Sequence, residues 1–328
     1  MVPSTEPYVT SAGASMRNHP PLPSASRWAI ALALFLLYVV WGSTYLAMRV
    51  ALEGFPTFRM GAIRFLVAGT ALFLLARARG APLPTPVQWR NCLWVGTLLL
   101  AFANGGVAYA EQTVGSGLAA LVVSVMPLWM AFFSGVFGRW PSAGDWAALL
   151  LGALGILLLN TGSDLHGNPA GLLALLLCSA SWAFGSLWSR RLELPKGPMA
   201  AAAQMLGGGA VLFCVSLLRR EHFVALPSAR SVGALAYLVV FGSLVGYSAY
   251  LYLLARVRPT VASSYAYINP VVAMLLGTFL GGEVIPPVAL LATPLILASV
   301  AVVLRPRRPT PAGETPADAS VSPEVARR

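Results

Sequence analysis

Trp41-Gly-Ser-Thr-Tyr-Leu-Ala-Met-Arg49 is the stretch that decides the fold, because it returns. Trp182-Ala-Phe-Gly-Ser-Leu-Trp-Ser-Arg190 repeats the tryptophan-to-arginine spacing 141 residues later. Working outward, Arg64-Phe-Leu comes back as Gln204-Met-Leu and Pro127 as Pro270, at displacements of 140 and 143 residues. Each copy carries about five long apolar segments. Five is odd, so a second copy threaded after the first enters a bilayer upside down. Inverted repeats of this kind build a site between the halves at mid-membrane, as in many secondary transporters.

Composition names the solvent. The chain is 57% hydrophobic and only 10% charged, with a mean hydropathy of +0.73. A soluble domain of 328 residues would need far more charge on its surface, so the lipid bilayer is the expected partner. The net charge of +11 does not point to nucleic acid, since no basic run is interleaved with aromatics. Cys92, Cys178 and Cys214 lie in or beside apolar segments without paired or metal-like spacing and read as small buried residues. The histidines, His19, His166 and His222, fall in a tail or in loops. No metal site, cofactor or catalytic residue is expected.

Residues 1–26 and 305–328 are rich in Pro and polar or small residues and read as disordered cytoplasmic tails. Between them we expect an all-α membrane protein of ten transmembrane helices in two inverted five-helix repeats, 27–161 and 168–304. The helices fall at 28–49, 57–76, 91–111, 118–138 and 146–161, then 170–189, 199–218, 232–255, 261–282 and 286–304. Asn168-Pro169 reads as an N-cap followed by a first-turn proline. With the N-terminus inside, 16 of the 22 Lys and Arg fall on the inner side. That asymmetry is the positive-inside rule, and it accounts for the basic charge.

Several residues stand out within this frame. Pro127 and Pro270, expected deep within helices four and nine, each free a backbone carbonyl four residues back and either bend their helices around a central cavity or mark packing kinks. Arg64 sits about two turns inside helix two. It is placed to hold a substrate carboxylate, to pair with an internal glutamate, or to reach the outer headgroups. Arg49 and Glu111 end helices one and three on the same side and form a candidate ion pair, gating or structural, unless Glu111 is simply a solvated carboxylate at the interface. Trp41, Thr44, Tyr45 and Met48 share one face of helix one. With Asn104, Tyr109, Trp182, Tyr247, Tyr265 and Asn269 they suggest a pocket carrying a few placed polar groups for a small-molecule substrate, the alternative being hydrogen bonds between helices. Gly61, Gly69, Gly105-Gly106 and Gly207-Gly-Gly209 read as packing sites. No carboxylate is expected at mid-membrane, so no proton relay is visible. Nothing here sets an oligomeric state.

Trp41-Gly-Ser-Thr44, Arg64-Phe-Leu and Ser263-Ser-Tyr-Ala-Tyr-Ile-Asn-Pro270 resemble motifs of the EamA family in the drug/metabolite transporter superfamily. Glu111-Gln112, Gly115-Ser-Gly-Leu-Ala-Ala120, Ser181-Trp-Ala-Phe-Gly-Ser186 and Leu280-Gly-Gly-Glu283 resemble its YedA-like inner-membrane members. The likeness spans nearly all of 28–304. It implies ten helices in two inverted repeats, cytoplasmic termini, a bacterial inner-membrane location and efflux of amino acids or related metabolites by alternating access. Drug-like or cationic compounds are the alternative cargo. Trp140 stands where the repeat would put a counterpart of Glu283, so a symmetric pair of acidic helix ends is not available. An intramembrane enzyme would need a nucleophile with a base or a metal cluster, and the spans offer neither. A channel is the remaining non-carrier reading.

Overall fold

Hydrophobic length and capping chemistry lay out the helices. The computed structural model describes residues 26–113, 119, 122–159, 169–281 and 287–304. All regular structure among them is helical. The helices are α1 (Arg27–Leu52), α2 (Thr57–Ala78), α3 (Pro86–Ala110), α4 (Met126–Val136), α5 (Ala143–Leu159), α6 (Pro169–Ser189), α7 (Pro198–Leu218), α8 (Ala229–Arg256), α9 (Tyr265–Gly281) and α10 (Ala289–Leu304). Of these, α1, α2, α3, α7 and α8 are long and apolar enough to cross a membrane by themselves; α4, α5, α6 and α10 contribute shorter apolar stretches. Both tails, Asn168, Glu283 and the 115–118 part of the glycine-serine motif lie outside the described residues.

The caps follow from the sequence. Thr85 and Gln88 form a reciprocal capping box at the start of α3, with Pro86 in the first turn. Ser228 accepts from the Ser231 amide at 3.1 Å at the start of α8. These hydroxyl caps sit 143 residues apart, so the repeat extends to its punctuation. The first turn of α2 receives the Glu221 carboxylate, which accepts from the amides of Phe58 at 3.1 Å and Arg59 at 2.9 Å. An anion at a helix N-terminus is favourable.

Contacts between the halves come in exchange-related pairs. α1 packs on α8 and α9; correspondingly, α6 packs on α3 and α4. α2 lies along α7, and α5 along α10. Along the α2–α7 seam, Gly61 faces Leu212, Leu66 faces Gly209 and Gly69 faces Met205 and Leu206, so the two helices run antiparallel. Gly152 facing Ser299 and Gly155 facing Ile296 make the α5–α10 seam antiparallel as well. The glycines do what small residues do in membranes, letting backbones meet. The tightest case is Gly96 of α3 against α7, where an added Cβ would collide with the Gln204 carbonyl and lie 2.8 Å from the Gly208 nitrogen.

Two expectations about helix shape need correction. Pro127 is not deep within a helix: the chain turns at Ser124 and Val125, and Pro127 sits in the first turn of α4. The missing N–H is tolerated there because first-turn amides have no intrahelical acceptor. Pro270 does lie inside α9, but that helix too is preceded by a turn, at Ser263 and Ser264, after the short helix Pro259–Ala262. Both segments are therefore broken at matching places, with the prolines at different distances beyond the break.

Candidate functional site

Three helices widen at one level. Residues 37–41 of α1, 97–104 of α3 and 238–247 of α8 are π-helical. Such segments are rare and concentrate at functional sites, because the wider turn displaces side chains and loosens the hydrogen-bond ladder. The α3 and α8 segments are repeat equivalents. The α1 segment has no partner, since α6 is α-helical throughout. Sequence reasoning missed these segments, and no residue type announces them.

Beside the three segments lies a cavity of about 750 Å³ of empty space, mouth included. α1 lines it with Trp41, Thr44, Tyr45 and Met48, α2 with Arg64 and Phe65, and α3 with Leu100, Ala103, Asn104 and Val107. Val123 and Met126 close one wall, Cys178, Ser179 and Trp182 of α6 another, and Gly242, Tyr247, Tyr265 and Asn269 complete it. Trp41, Tyr45, Arg64, Asn104, Trp182, Tyr247, Tyr265 and Asn269, eight of the nine residues expected to share a pocket, thus surround one space. Tyr109 does not. It stacks on Phe58 at 5.7 Å, with the Arg219 guanidinium 5.5 Å from its ring. Five residues along a helix is a rotation of about 140° away from Asn104, so the two cannot share a face.

Arg64 is the cavity's charge. It is 3% exposed, so it does not snorkel. Its Nε donates to Ser243 Oγ at 2.8 Å, its Nη1 donates to Asn104 Oδ1 at 3.4 Å, and its guanidinium lies 4.9 Å from the Phe65 ring centroid. Among the described residues no carboxylate lies within 4.0 Å of it. A guanidinium carries five N–H donors, so donors remain to face the cavity. Gly242 makes the space: a Cβ there would stand 2.9 Å from Arg64 Nη2.

The same interhelical contact is made twice with different chemistry. In the second half, Gln204 replaces Arg64, Tyr247 replaces Asn104, and Tyr247 Oη donates to Gln204 Oε1 at 2.6 Å. Gln204 also lines a second, larger hollow that opens where α6 ends and α7 begins. The neutral Tyr247–Gln204 pair therefore stands between the central cavity and that hollow, whereas Arg64 faces the cavity itself.

Aromatic rings form the rest of this partition. Trp41 and Trp182, equivalent by the repeat, meet edge-to-face at 5.5 Å. Equivalent residues in contact mark the axis that relates the halves. Tyr265 packs 4.7 Å from Trp41, and Tyr250 lies 5.4 Å from each tryptophan. Trp41 Nε1 donates to the Gly242 carbonyl at 3.0 Å, and Tyr250 Oη donates to Ser186 Oγ at 2.6 Å. Each such ring pair adds roughly 0.5–1.5 kcal/mol beyond area burial. Among the described residues Asn269 Oδ1, buried at the cavity wall, has no hydrogen-bond partner.

The expected ion pair between Arg49 and Glu111 is not made. Among the described residues the salt bridge lies elsewhere, between Arg258 and Asp145 at 3.1 Å. Arg49 is on an exposed face of α1, whereas both Glu111 carboxylate oxygens are buried and have no hydrogen-bond partner among the described residues. Among the described residues no three His, Cys, Asp or Glu side chains gather as a metal site would require.

Apolar helices packed as two exchange-related halves around a cavity that holds one charge define a multi-pass membrane transporter. The chain belongs to the EamA-like transporter family of the drug/metabolite transporter superfamily, which it matches twice, over residues 28–161 and 169–305. It is 45% identical over 272 residues to the inner membrane transporter YedA of Escherichia coli strain K12, covering 83% of this chain and 89% of YedA. It is 30% identical over 243 residues to the protein PecM of Dickeya dadantii, covering 73% and 80% of the two chains. A crystal structure superimposes on it with a TM-score of 0.71 at 23% identity, over 85% of this chain and 97% of its own, a likeness of fold. This is a multi-pass protein of the bacterial inner membrane.

Proposed function

We propose that this transporter exports small metabolites that carry a carboxylate, amino acids first among them, by alternating access around the central cavity. The observation that carries the reading is Arg64: a buried guanidinium, hydrogen-bonded among the described residues only to neutral groups, on the wall of the central cavity. A buried charge without a counter-ion is costly, and a bound carboxylate supplies the missing partner through charge-assisted hydrogen bonds. The positive charge disfavours cationic cargo despite the aromatic lining.

The architecture in this reading is ten spans in two inverted repeats, with both termini in the cytoplasm. The antiparallel α2–α7 and α5–α10 seams and the inner-side bias of the arginines support it. The halves rock about the Trp41–Trp182 contact, and the breaks ahead of α4 and α9 are the moving joints. On this orientation the cavity faces outward, and the aromatic partition with Tyr247–Gln204 closes it from the cytoplasm.

Counterflow in proteoliposomes tests the reading. Purified protein is loaded with each of a broad panel of amino acids and challenged with the labelled compound outside. Saturable exchange of at least one amino acid, with its amide carried poorly, is the expected result. No exchange across the panel rules out the amino-acid reading, and non-saturable flux without counterflow makes the protein a channel.

A further inference from the structure

Glu111 is a buried ionisable group that the cavity does not use and that no salt bridge among the described residues engages. Both carboxylate oxygens are shielded from solvent, and among the described residues neither has a hydrogen-bond partner. An ionised carboxylate held that way is unfavourable, and a bound proton removes the penalty. Its position is set by helix geometry. Leu100, Asn104 and Val107 of α3 line the cavity, and spacings of four, three and four residues carry the same stripe on to Glu111. Glu111 therefore lies one turn beyond the cavity wall, at the end of α3.

Its neighbours suit a proton exchanger. Tyr45, which lines the cavity, and Arg49, one turn further along α1, are the titratable and charged groups that act on the carboxylate electrostatically. From α2, Thr57 is occupied by Gln112, Arg59 Nε donates to Ser216 Oγ at 3.0 Å and Arg64 is held by Ser243 and Asn104. α6 brings apolar Leu175 against Ala110 and Cys178, whose Sγ donates to the Phe102 carbonyl at 3.5 Å. Arg219 is turned to the Tyr109 ring. No donor among these neutralises Glu111. The exposed Arg49 acts on it from beyond ion-pair distance and can approach when the carboxylate ionises.

We infer that Glu111 is the proton-binding site that couples transport to the pH gradient, loading a proton from the outer side and releasing it as α1 and α3 shift. The coupling half of this inference rests on the carrier reading above; the proton-binding half does not.

The test uses the full-length protein. Infrared difference spectroscopy of the wild type across a pH titration should reveal the carbonyl stretch of a protonated carboxyl group that fades as pH rises. That band should vanish in Glu111→Gln and shift in Glu111→Asp. In proteoliposomes, uptake of any amino acid that exchanges should be faster with an imposed pH gradient than at equal pH. The ratio of the two rates should fall to unity in Glu111→Gln. A wild-type spectrum with no titrating carboxyl band overturns the proposal whatever the variants do, as does a band or a gradient effect that survives in Glu111→Gln. If no amino acid exchanges at all, the carrier reading has failed, and the infrared titration still decides whether Glu111 carries the proton.

Discussion

Replacing Arg64 with glutamine, the residue the second half carries at the equivalent position, separates a binding charge from a structural one. The substitution removes a guanidinium whose two side-chain hydrogen bonds run to Ser243 and Asn104. If a substrate carboxylate occupies its remaining donors, truncating one partner of that buried charged pair costs about 2–5 kcal/mol, or roughly 30-fold to several thousand-fold in affinity. Stability should respond quite differently. Among the described residues Arg64 has no carboxylate to orphan, and replacing a buried charge with a neutral side chain is often close to neutral for folding. The assay is counterflow half-saturation for an amino acid and its amide, alongside thermal unfolding in detergent. Wild type should favour the acid, and Arg64→Gln should carry acid and amide alike with nearly unchanged melting. A variant that keeps the wild-type preference for the acid refutes the carboxylate role. A variant that loses transport only because it no longer folds assigns Arg64 to the scaffold instead.

Other positions give sharper single readouts. Tyr247→Phe removes the donor to Gln204 Oε1 and leaves a buried acceptor unpaired, which should cost about 1–3 kcal/mol. It should lower the melting temperature and increase labelling of a cysteine placed at Ala201, in the hollow that Gln204 lines. Gly96→Ala forces a Cβ into the α7 backbone, so the protein should aggregate on size-exclusion chromatography. Gly233→Ala, where the added Cβ meets nothing within 4 Å, should run as wild type. Thr85→Ala deletes the capping box of α3 and should cost about 1 kcal/mol, read as a modest fall in melting temperature.

The fold was legible because its signals are periodic or compositional. Apolar length announced the helices and the recurrence of Trp41 and Arg49 announced the repeat, whereas the caps at Thr85 and Ser228 start their helices earlier than the expected 91 and 232. The glycines of α2 and α7 were readable as close-approach sites because no other residue allows backbones to touch. The site was legible only by face. Trp41, Thr44, Tyr45 and Met48 share a stripe and do line one cavity, whereas Tyr109 was grouped with Asn104 by sequence proximity and lies round the helix from it. Ser243, which holds Arg64, carried no motif of its own. Pro127 misled because a proline reads the same in the middle of a span as in the first turn after a break.

By itself the sequence determined the solvent, the helices and the duplication, since hydrophobic length and repeated spacing are properties of the chain alone. Only the tertiary structure decided what the broken symmetry means. It joined Arg64 to Asn104 and Gln204 to Tyr247, two versions of one contact, and directed the first at the cavity and the second at the partition below it. It also left Glu111 buried and apart from Arg49. A residue's chemistry is written in its side chain, but whether a charge finds a partner depends on which helices pack beside it and how each is turned.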